Sequence, residues 1–390
     1  MRGVILKNKE LMLLIASMAI IMIGFGVIIP ILPYYVKHFQ ATSLHMGLLM
    51  SVYAIMQFIF SPIWGRISDK KGRKPIFLLG IVGFIISFIL FGLAKSLWML
   101  FAARIIGGLL SSATMVTAMA YIADTTKEDD RAKSMGLMGA AMGLGMILGP
   151  MLGGFLSKIS LSTPFFFAAG MAFVTFIFSS IFLKEPSSHK TTEHQSTPLY
   201  KALSIGWVFY LLTFLANFAV ASHEATIAFY GSDTSGLNHT QMGILFTIMG
   251  IAGTLSQGFL VNRFIKNFGE AVTLSLGLII SAVAIAGIPF THGFLLIAIF
   301  SSFFYLGTSL ASPCINALLS RQTKKGYGSV MGLLNSAGSL GRIIGPTSGG
   351  ALYHYVGAAF PFWSASFLFF LAFILWAKKM SIYRQPVNAQ

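Results

Sequence analysis

Twelve segments of this chain are each near the roughly 17 to 25 residues that a helix needs to cross the hydrocarbon of a bilayer. Cut at charged or turn-rich breaks, they run approximately over residues 11–36, 46–67, 75–94, 97–123, 134–157, 163–183, 204–230, 241–262, 271–289, 293–319, 328–352 and 358–377. The pattern predicts an all-α membrane protein. Composition agrees: only 10% of residues are charged and 56% are apolar, whereas a water-soluble chain carries roughly a quarter charged residues. That balance argues against a soluble enzyme. The first segment follows Arg2, Lys7 and Lys9 as a secretory signal would. It is longer than the roughly 7 to 15 apolar residues of such a signal, and eleven more segments follow, so it is read as a retained span.

Connections are mostly short, which predicts antiparallel neighbours. The exception is 184–203, a polar stretch with Lys184, Glu185, Pro186, His189, Lys190, Glu193 and Pro198 at the midpoint of the chain. It divides an N-terminal six-helix bundle, 1–183, from a C-terminal one, 204–390, and is read as a linker.

The formal net charge of +16 would suit a nucleic-acid partner, but its distribution says otherwise. The N-terminus, the connections after spans 2, 4, 6, 8 and 10, and the C-terminus hold 22 of the 27 Lys and Arg, while the alternate connections hold only Lys37, Lys95 and Lys158. Because basic residues are retained on the cytoplasmic side, both termini and the linker are expected inside a cell membrane crossed many times, with no nucleic acid involved. Cys314, the one cysteine, lies in an apolar run, which leaves no disulfide framework, thiolate metal cluster or redox pair to expect.

The two halves repeat. Gly145-Met-Ile-Leu-Gly149-Pro150-Met-Leu-Gly153-Gly154 in span 5 returns 196 residues later as Gly341-Arg-Ile-Ile-Gly345-Pro346-Thr-Ser-Gly349-Gly350 in span 11, and Met135-Gly136-Leu137 returns as Met331-Gly332-Leu333. Gly65 to Arg73 has a weaker echo from Gly258 to Gly269, at an offset near 193. Six spans bring the chain back to its starting side, so the copies share one orientation, a plan used by transporters. Small residues four apart let helix backbones approach closely, and proline removes a helical hydrogen bond. Spans 5 and 11 are therefore expected to be bent and tightly packed where the halves meet.

These residues resemble the major facilitator superfamily, more narrowly its twelve-span drug:proton antiporter branch. Gly65-Arg-Ile-Ser-Asp69-Lys70-Lys71-Gly72-Arg73-Lys74 matches the superfamily's loop motif between spans 2 and 3. Gly145, Gly149, Pro150, Gly153 and Gly154 match the antiporter motif, Gly24-Phe-Gly26-Val-Ile-Ile-Pro30-Ile-Leu-Pro33 an opening signature, and Arg104-Ile-Ile-Gly-Gly108 a span 4 motif. The chain is similar to Gram-positive multidrug exporters, with Gln57, Glu224 and Asn335 at matching places. The resemblance implies the major facilitator fold and proton-driven export of amphipathic, cationic drugs by alternating access, without a cofactor. It also implies a coupling role for Arg104, although a structural residue bonded to backbone carbonyls is an equal alternative. Tyr53, Gln57, Met115, Glu224, Tyr305 and Asn335 stand at the family's cavity positions. Gly65, Asp69, Gly72 and Arg73 would form a cytoplasmic charge latch between spans 2 and 3 and the neighbouring bundle. One departure stands out: the subgroup carries an Asp and an Arg three residues apart just before a Pro in span 10, where this chain has Ser309 and Ser312 before Pro313.

Ten of the 11 acidic residues fall in connections or near span ends; Glu224 alone lies well within a span, among Ala219, Val220, Ala225, Ile227 and Phe229. An ionised carboxylate at mid-membrane costs roughly 2.5 to 3.5 kcal/mol, so Glu224 must face an interior cavity or carry a proton. A site that holds either a proton or a cationic ligand is what an antiporter requires, and Glu224 is the expected exchange site; a carboxyl reaching solvent at the outer end of span 7 is the plainer alternative. His223 is adjacent but turned about 100° away, a weaker candidate relay. Arg342 is an unusual residue within its glycine motif.

Other functions fit less well. A primary pump needs a Gly-x-x-x-x-Gly-Lys-Ser/Thr loop, which does not occur, and Cys314 with eight scattered histidines offers no metal cluster or nucleophile and base pair. An exporter of a specific sugar, peptide or lipid, or a proton-coupled uptake carrier, is the alternative. The expected partners are membrane lipid, small-molecule cargo and protons, with the chain acting as a monomer. Asn238-His239-Thr240 also matches a glycosylation acceptor.

Overall fold

The computed structural model describes residues 9–126, 128–186, 199–322 and 327–383. They form α1 (Lys9–Ile28), α2 (Leu32–His38), α3 (Ser43–Lys71), α4 (Arg73–Gly92), α5 (Leu97–Thr125), α6 (Glu128–Leu156), α7 (Thr163–Phe182), α8 (Leu199–Ser235), α9 (His239–Leu255), α10 (Val261–Gly287), α11 (Phe294–Gln322), α12 (Tyr327–Tyr355) and α13 (Phe360–Tyr383), and among the described residues no strand occurs. A helix pairs its own backbone groups, which hydrocarbon cannot do for it. Among the described residues, ten continuous helical stretches are long and apolar enough to cross a membrane; one of these, His239–Phe290, is 52 residues long and holds two expected spans. With α12, all twelve expected crossings are helical. Residues 187–198 of the expected linker, with His189, Lys190, Glu193 and Pro198, lie outside the described residues, as do Arg2 and Lys7. Residues 199–203 already belong to α8.

The described residues divide into two compact units. One comprises 9–41, 52–186 and 238–247; the other comprises 42–51, 199–237 and 248–383. The same pairing scheme recurs in both: α1 packs along α6 and α7 and α4 along α5 and α7, while α8 packs along α12 and α13 and α10 along α11 and α13.

Local chemistry sets the breaks. The first expected span is two helices, because α1 ends at Ile28 and α2 begins at Leu32, with Pro30 between them and Pro33 in the first turn of α2. A proline lacks the N–H that would continue the helix, whereas at a first turn that N–H is not needed. Pro150 and Pro346 are instead taken inside continuous α6 and α12. Among the glycines that adopt the left-handed backbone that side chains resist, Gly72 (φ 99) separates α3 from α4, and Gly269 (φ 76) interrupts α10.

These two glycines are 197 residues apart, while Ser43 and His239, which open α3 and α9, are 196 apart. Between His239 and Gly269 lies one π turn, Ser256–Leu260, whose i→i+5 bonding takes one residue more than an α turn. The loop echo is thus in register at 197, a correction to the offset near 193 expected from Gly65 and Gly258.

The glycine motifs are seams within each unit. A methyl group added at Gly145, Gly149 or Gly153 would lie 2.5 Å from the carbonyl oxygens of Ala19, Ile23 and Val27 of α1 respectively. In the repeat, Gly341 meets the Phe214 carbonyl, Gly345 that of Phe218, and Gly349 the Ser222 side chain, all on α8. Three of the four glycines in each motif therefore face the first long helix of their own unit. The physical reason is register: glycines every four residues on one helix match carbonyls every four residues on its neighbour. The fourth glycine, Gly154, packs against Gly243 of α9, and Gly350 against Ser43 of α3, in each case a segment of the same compact unit.

Candidate functional site

In the second unit, α8 carries Glu224 amid buried Ala221, Ser222, Ala225 and Thr226, yet Glu224 itself is partly exposed. The turn of the helix aims it differently from its neighbours. Tyr305 of α11 donates its hydroxyl to Glu224 Oε1 at 2.9 Å. Two turns earlier on the same face of α8, Asn217 Oδ1 accepts from Arg342 Nη1 of α12 at 2.9 Å, and Arg342 Nη2 donates to Ser339 Oγ at 3.0 Å. Asn217 is itself held by donating to the Thr213 carbonyl at 2.9 Å. Arg342 is exposed and within electrostatic range of Glu224. Asn335, seven residues before Arg342 and so on the same α12 face, is also exposed. Glu224, Tyr305, Asn335, Asn217, Ser339 and Arg342 thus form a polar patch shared by three helices. His223 points the other way, 1% exposed, against Ser301 at 3.3 Å and the rings of Phe304, Tyr305 and Phe362.

The first unit gathers another set. Tyr53 of α3 shares a hydrogen bond with Ser111 of α5 at 3.1 Å, and Gln57 Nε2 donates to the Tyr53 hydroxyl at 3.1 Å. Met115, one turn beyond Ser111, is exposed. The Phe25 ring lies 5.6 Å from that of Tyr53. Arg104, 6% exposed, has its guanidinium 5.3 Å from the ring centres of both Tyr53 and Phe91, and its Nε has no hydrogen-bond partner. The expected alternative, a residue bonded to backbone carbonyls, is not what the structure contains among the described residues: two aromatic faces hold the cation in their place.

The loop motif is the centre of a charged network in the first unit. Arg73 Nη1 reaches Asp69 at 2.5 Å and Ser68 Oγ at 2.7 Å, and Arg73 Nε meets Asp124 of α5 at 2.7 Å. Glu185, beyond α7, accepts from the backbone N–H groups of Arg73 and, at 2.9 Å, of Lys74, so its carboxylate caps the N-terminus of α4. It occupies the space that a side chain at Gly72 would need, while a Cβ at Gly65 would come 3.3 Å from Val116. Arg73, Asp69, Ser68, Asp124 and Glu185 all belong to the same unit. Asp124 and Glu185 were not singled out in the sequence, since nothing in a single chain marks residues 51 and 112 positions from Arg73 as its partners. The glycosylation match has a local role as well. Asn238 and Gln241 exchange hydrogen bonds as a capping box at the start of α9 (2.9 and 3.0 Å), and Thr240 donates to the Gly154 carbonyl at 2.9 Å.

Against known proteins, the family model described as Major Facilitator Superfamily matches residues 14–266 and 235–388. Quinolone resistance protein NorA of Staphylococcus aureus is 30% identical over 350 residues, 89% of this chain and 90% of that protein. Multidrug resistance protein 1 of Bacillus subtilis is 30% identical over 364 residues, 92% of this chain and 93% of that protein. Among solved structures, a mutant form of the nucleoside transporter NupG superposes with a TM-score of 0.77 at 13% identity, covering 97% of this chain and 100% of that one. A bacterial homolog of the human lysosomal transporter Spinster, in an inward-facing and unoccupied conformation, gives 0.72 at 16% identity, covering 97% and 98%. With both halves matched by the family model, full-length relatives and twelve helical crossings, this chain is a multi-pass membrane protein of the Major Facilitator Superfamily.

Proposed function

We propose that the chain exports amphipathic small molecules in exchange for protons, with Glu224 as the site that holds either a proton or the cationic end of the cargo. The observation that carries this reading is the Glu224 carboxylate, partly exposed within a membrane-spanning helix and held by the Tyr305 hydroxyl at 2.9 Å. A carboxylate fixed by one neutral donor keeps the remaining acceptor sites free for a proton or an ammonium group. The names of the quinolone and multidrug resistance relatives support export of drug-like cargo. Tyr53, Gln57, Met115 and Asn335 are read as cargo-facing, and Arg104 as the positive group of the first unit that responds to the proton cycle. The domains are taken as 1–183 and 204–390, joined by 184–203, with both termini cytoplasmic as the distribution of Lys and Arg favours. The chain is a carrier rather than an enzyme and works without a cofactor.

One proton entering through about 100 mV releases roughly 2.3 kcal/mol, and one pH unit adds about 1.4 kcal/mol. Exchange for a neutral molecule uses both; exchange for a monovalent cation uses only the pH term. The test is proton release from vesicles on adding a candidate dye. Wild type is expected to respond and Glu224→Gln to be silent; proton-coupled export by Glu224→Gln would end the proposal.

A further inference from the structure

Arg342 is a cation in a membrane-spanning helix whose two hydrogen bonds end on neutral oxygens, Asn217 Oδ1 and Ser339 Oγ. Neither acceptor neutralises it, and among the described residues no carboxylate lies at ion-pair distance from it. A guanidinium has five N–H donors in a planar fork shaped for a carboxylate; two are used here, and the side chain is exposed. A charge turned toward lipid would be costly, so the polar face that Arg342 shares with Asn335, Ser339, Asn217 and Glu224 must meet water or cargo. Asn217 pins the guanidinium against α8 seven residues before Glu224, two helical turns or about 10 Å along the axis.

We propose that Arg342 is the acid-binding half of a zwitterion site whose amine-binding half is Glu224, so that the favoured cargo is an amphiphile with a carboxylate and a protonated amine about 10 Å apart. This rests on the reading of Glu224 as the exchange site and narrows its cargo. The negative Glu224 and positive Arg342 stand about 10 Å apart along the patch, so a monovalent cation meets attraction at one and repulsion at the other, whereas a zwitterion is matched at both. A zwitterion leaving as one proton enters also transfers a net charge, so its accumulation responds to voltage, by roughly 50-fold for about 100 mV. A monovalent cation exchanged for one proton transfers none.

The test uses the full chain in proteoliposomes with aminooctanoate, bearing amine and acid at opposite ends, and its methyl ester. Wild type is expected to show a KM for the acid lower than for the ester by roughly 10-fold or more, the loss expected when a charged hydrogen-bond partner is removed. Arg342→Gln should abolish that ratio, and Arg342→Lys, which keeps the charge but not the fork, should retain part of it. An imposed voltage should change accumulation of the acid and leave the ester unaffected. Equal handling of acid and ester by wild type, including failure to move either, overturns the proposal, as does a ratio that survives Arg342→Gln. Should that variant not reconstitute, the wild-type ratio and Arg342→Lys decide. Proton coupling that persists in Glu224→Gln while the acid preference still depends on Arg342 sinks the exchange-site reading alone; lost coupling with no acid preference sinks this proposal alone.

Discussion

Arg73 and Glu270 occupy equivalent positions in the two repeats, each just after a left-handed glycine, and carry opposite charges. Their partners are exchanged to match: Arg73 meets Asp124 at 2.7 Å, and 197 positions further along the chain Glu270 meets Arg321 at 2.8 Å. Lys266 stands where Asp69 stands, so the charges are reversed at both of these positions of the echo. The reversal hides the repeat from a search for identical residues while leaving the geometry of the pair intact.

The two pairs should differ in strength. Asp124 and Arg73 are both nearly buried, at 6% and 8% side-chain exposure, while Arg321 is 55% exposed. Removing one partner of a buried pair costs about 3 to 5 kcal/mol, and an exposed pair contributes up to about 1 kcal/mol. Thermal unfolding in detergent should show a large loss of stability for Arg73→Gln and a small one for Glu270→Gln. The double exchange of Glu270→Arg with Arg321→Glu should recover most of the latter.

Alanine scanning of glycines should be sharply uneven. Gly149→Ala and Gly345→Ala each drive a methyl group into a carbonyl of the neighbouring helix, and overpacking of this kind costs about 1 to 3 kcal/mol. Gly139 and Gly332 have nothing within 4 Å of an added Cβ, and alanine there should be neutral or slightly stabilising. Melting temperatures of the four variants check the contrast.

Replacing Tyr305 with Phe removes the hydroxyl that binds Glu224 and keeps the ring. A hydrogen bond to a charged group contributes about 1.5 to 3 kcal/mol, so cargo affinity in vesicles should change on the order of 10-fold or more, with expression and melting little affected. An unchanged affinity would separate Tyr305 from the exchange site.

A double-mutant cycle on Arg104→Lys and Tyr53→Leu measures the cation held between rings. Lysine lacks the flat face that stacks on Tyr53 and Phe91, and the coupling energy from melting curves is expected at about 1 to 2 kcal/mol for so buried a contact.

The spans, the repeat and the family were legible because each is written in length, hydropathy or a compact motif. Helices apolar all round carry little periodicity to say which face meets which neighbour, and so the glycine motifs were legible as close packing while the helix facing each glycine was not. Glu224 was visible as a lone carboxylate; its hydrogen bond to Tyr305, 81 residues away, was not. Arg342 was noticed as odd, but Asn217, which pins it, has no marker in sequence. Pro30 split the first span while four other prolines did not split theirs, a difference that a single sequence does not mark.

The π turn at Ser256–Leu260 has a bearing on how the two copies diverged. One additional residue in an α-helix would swing everything downstream by about 100° and carry Glu270 away from Arg321. By absorbing that residue in a single wide turn, the second copy tolerated an insertion without rephasing any later side chain. A one-residue deletion confined to that turn is accordingly the shortening that evolution or an engineer can make there at least structural disturbance.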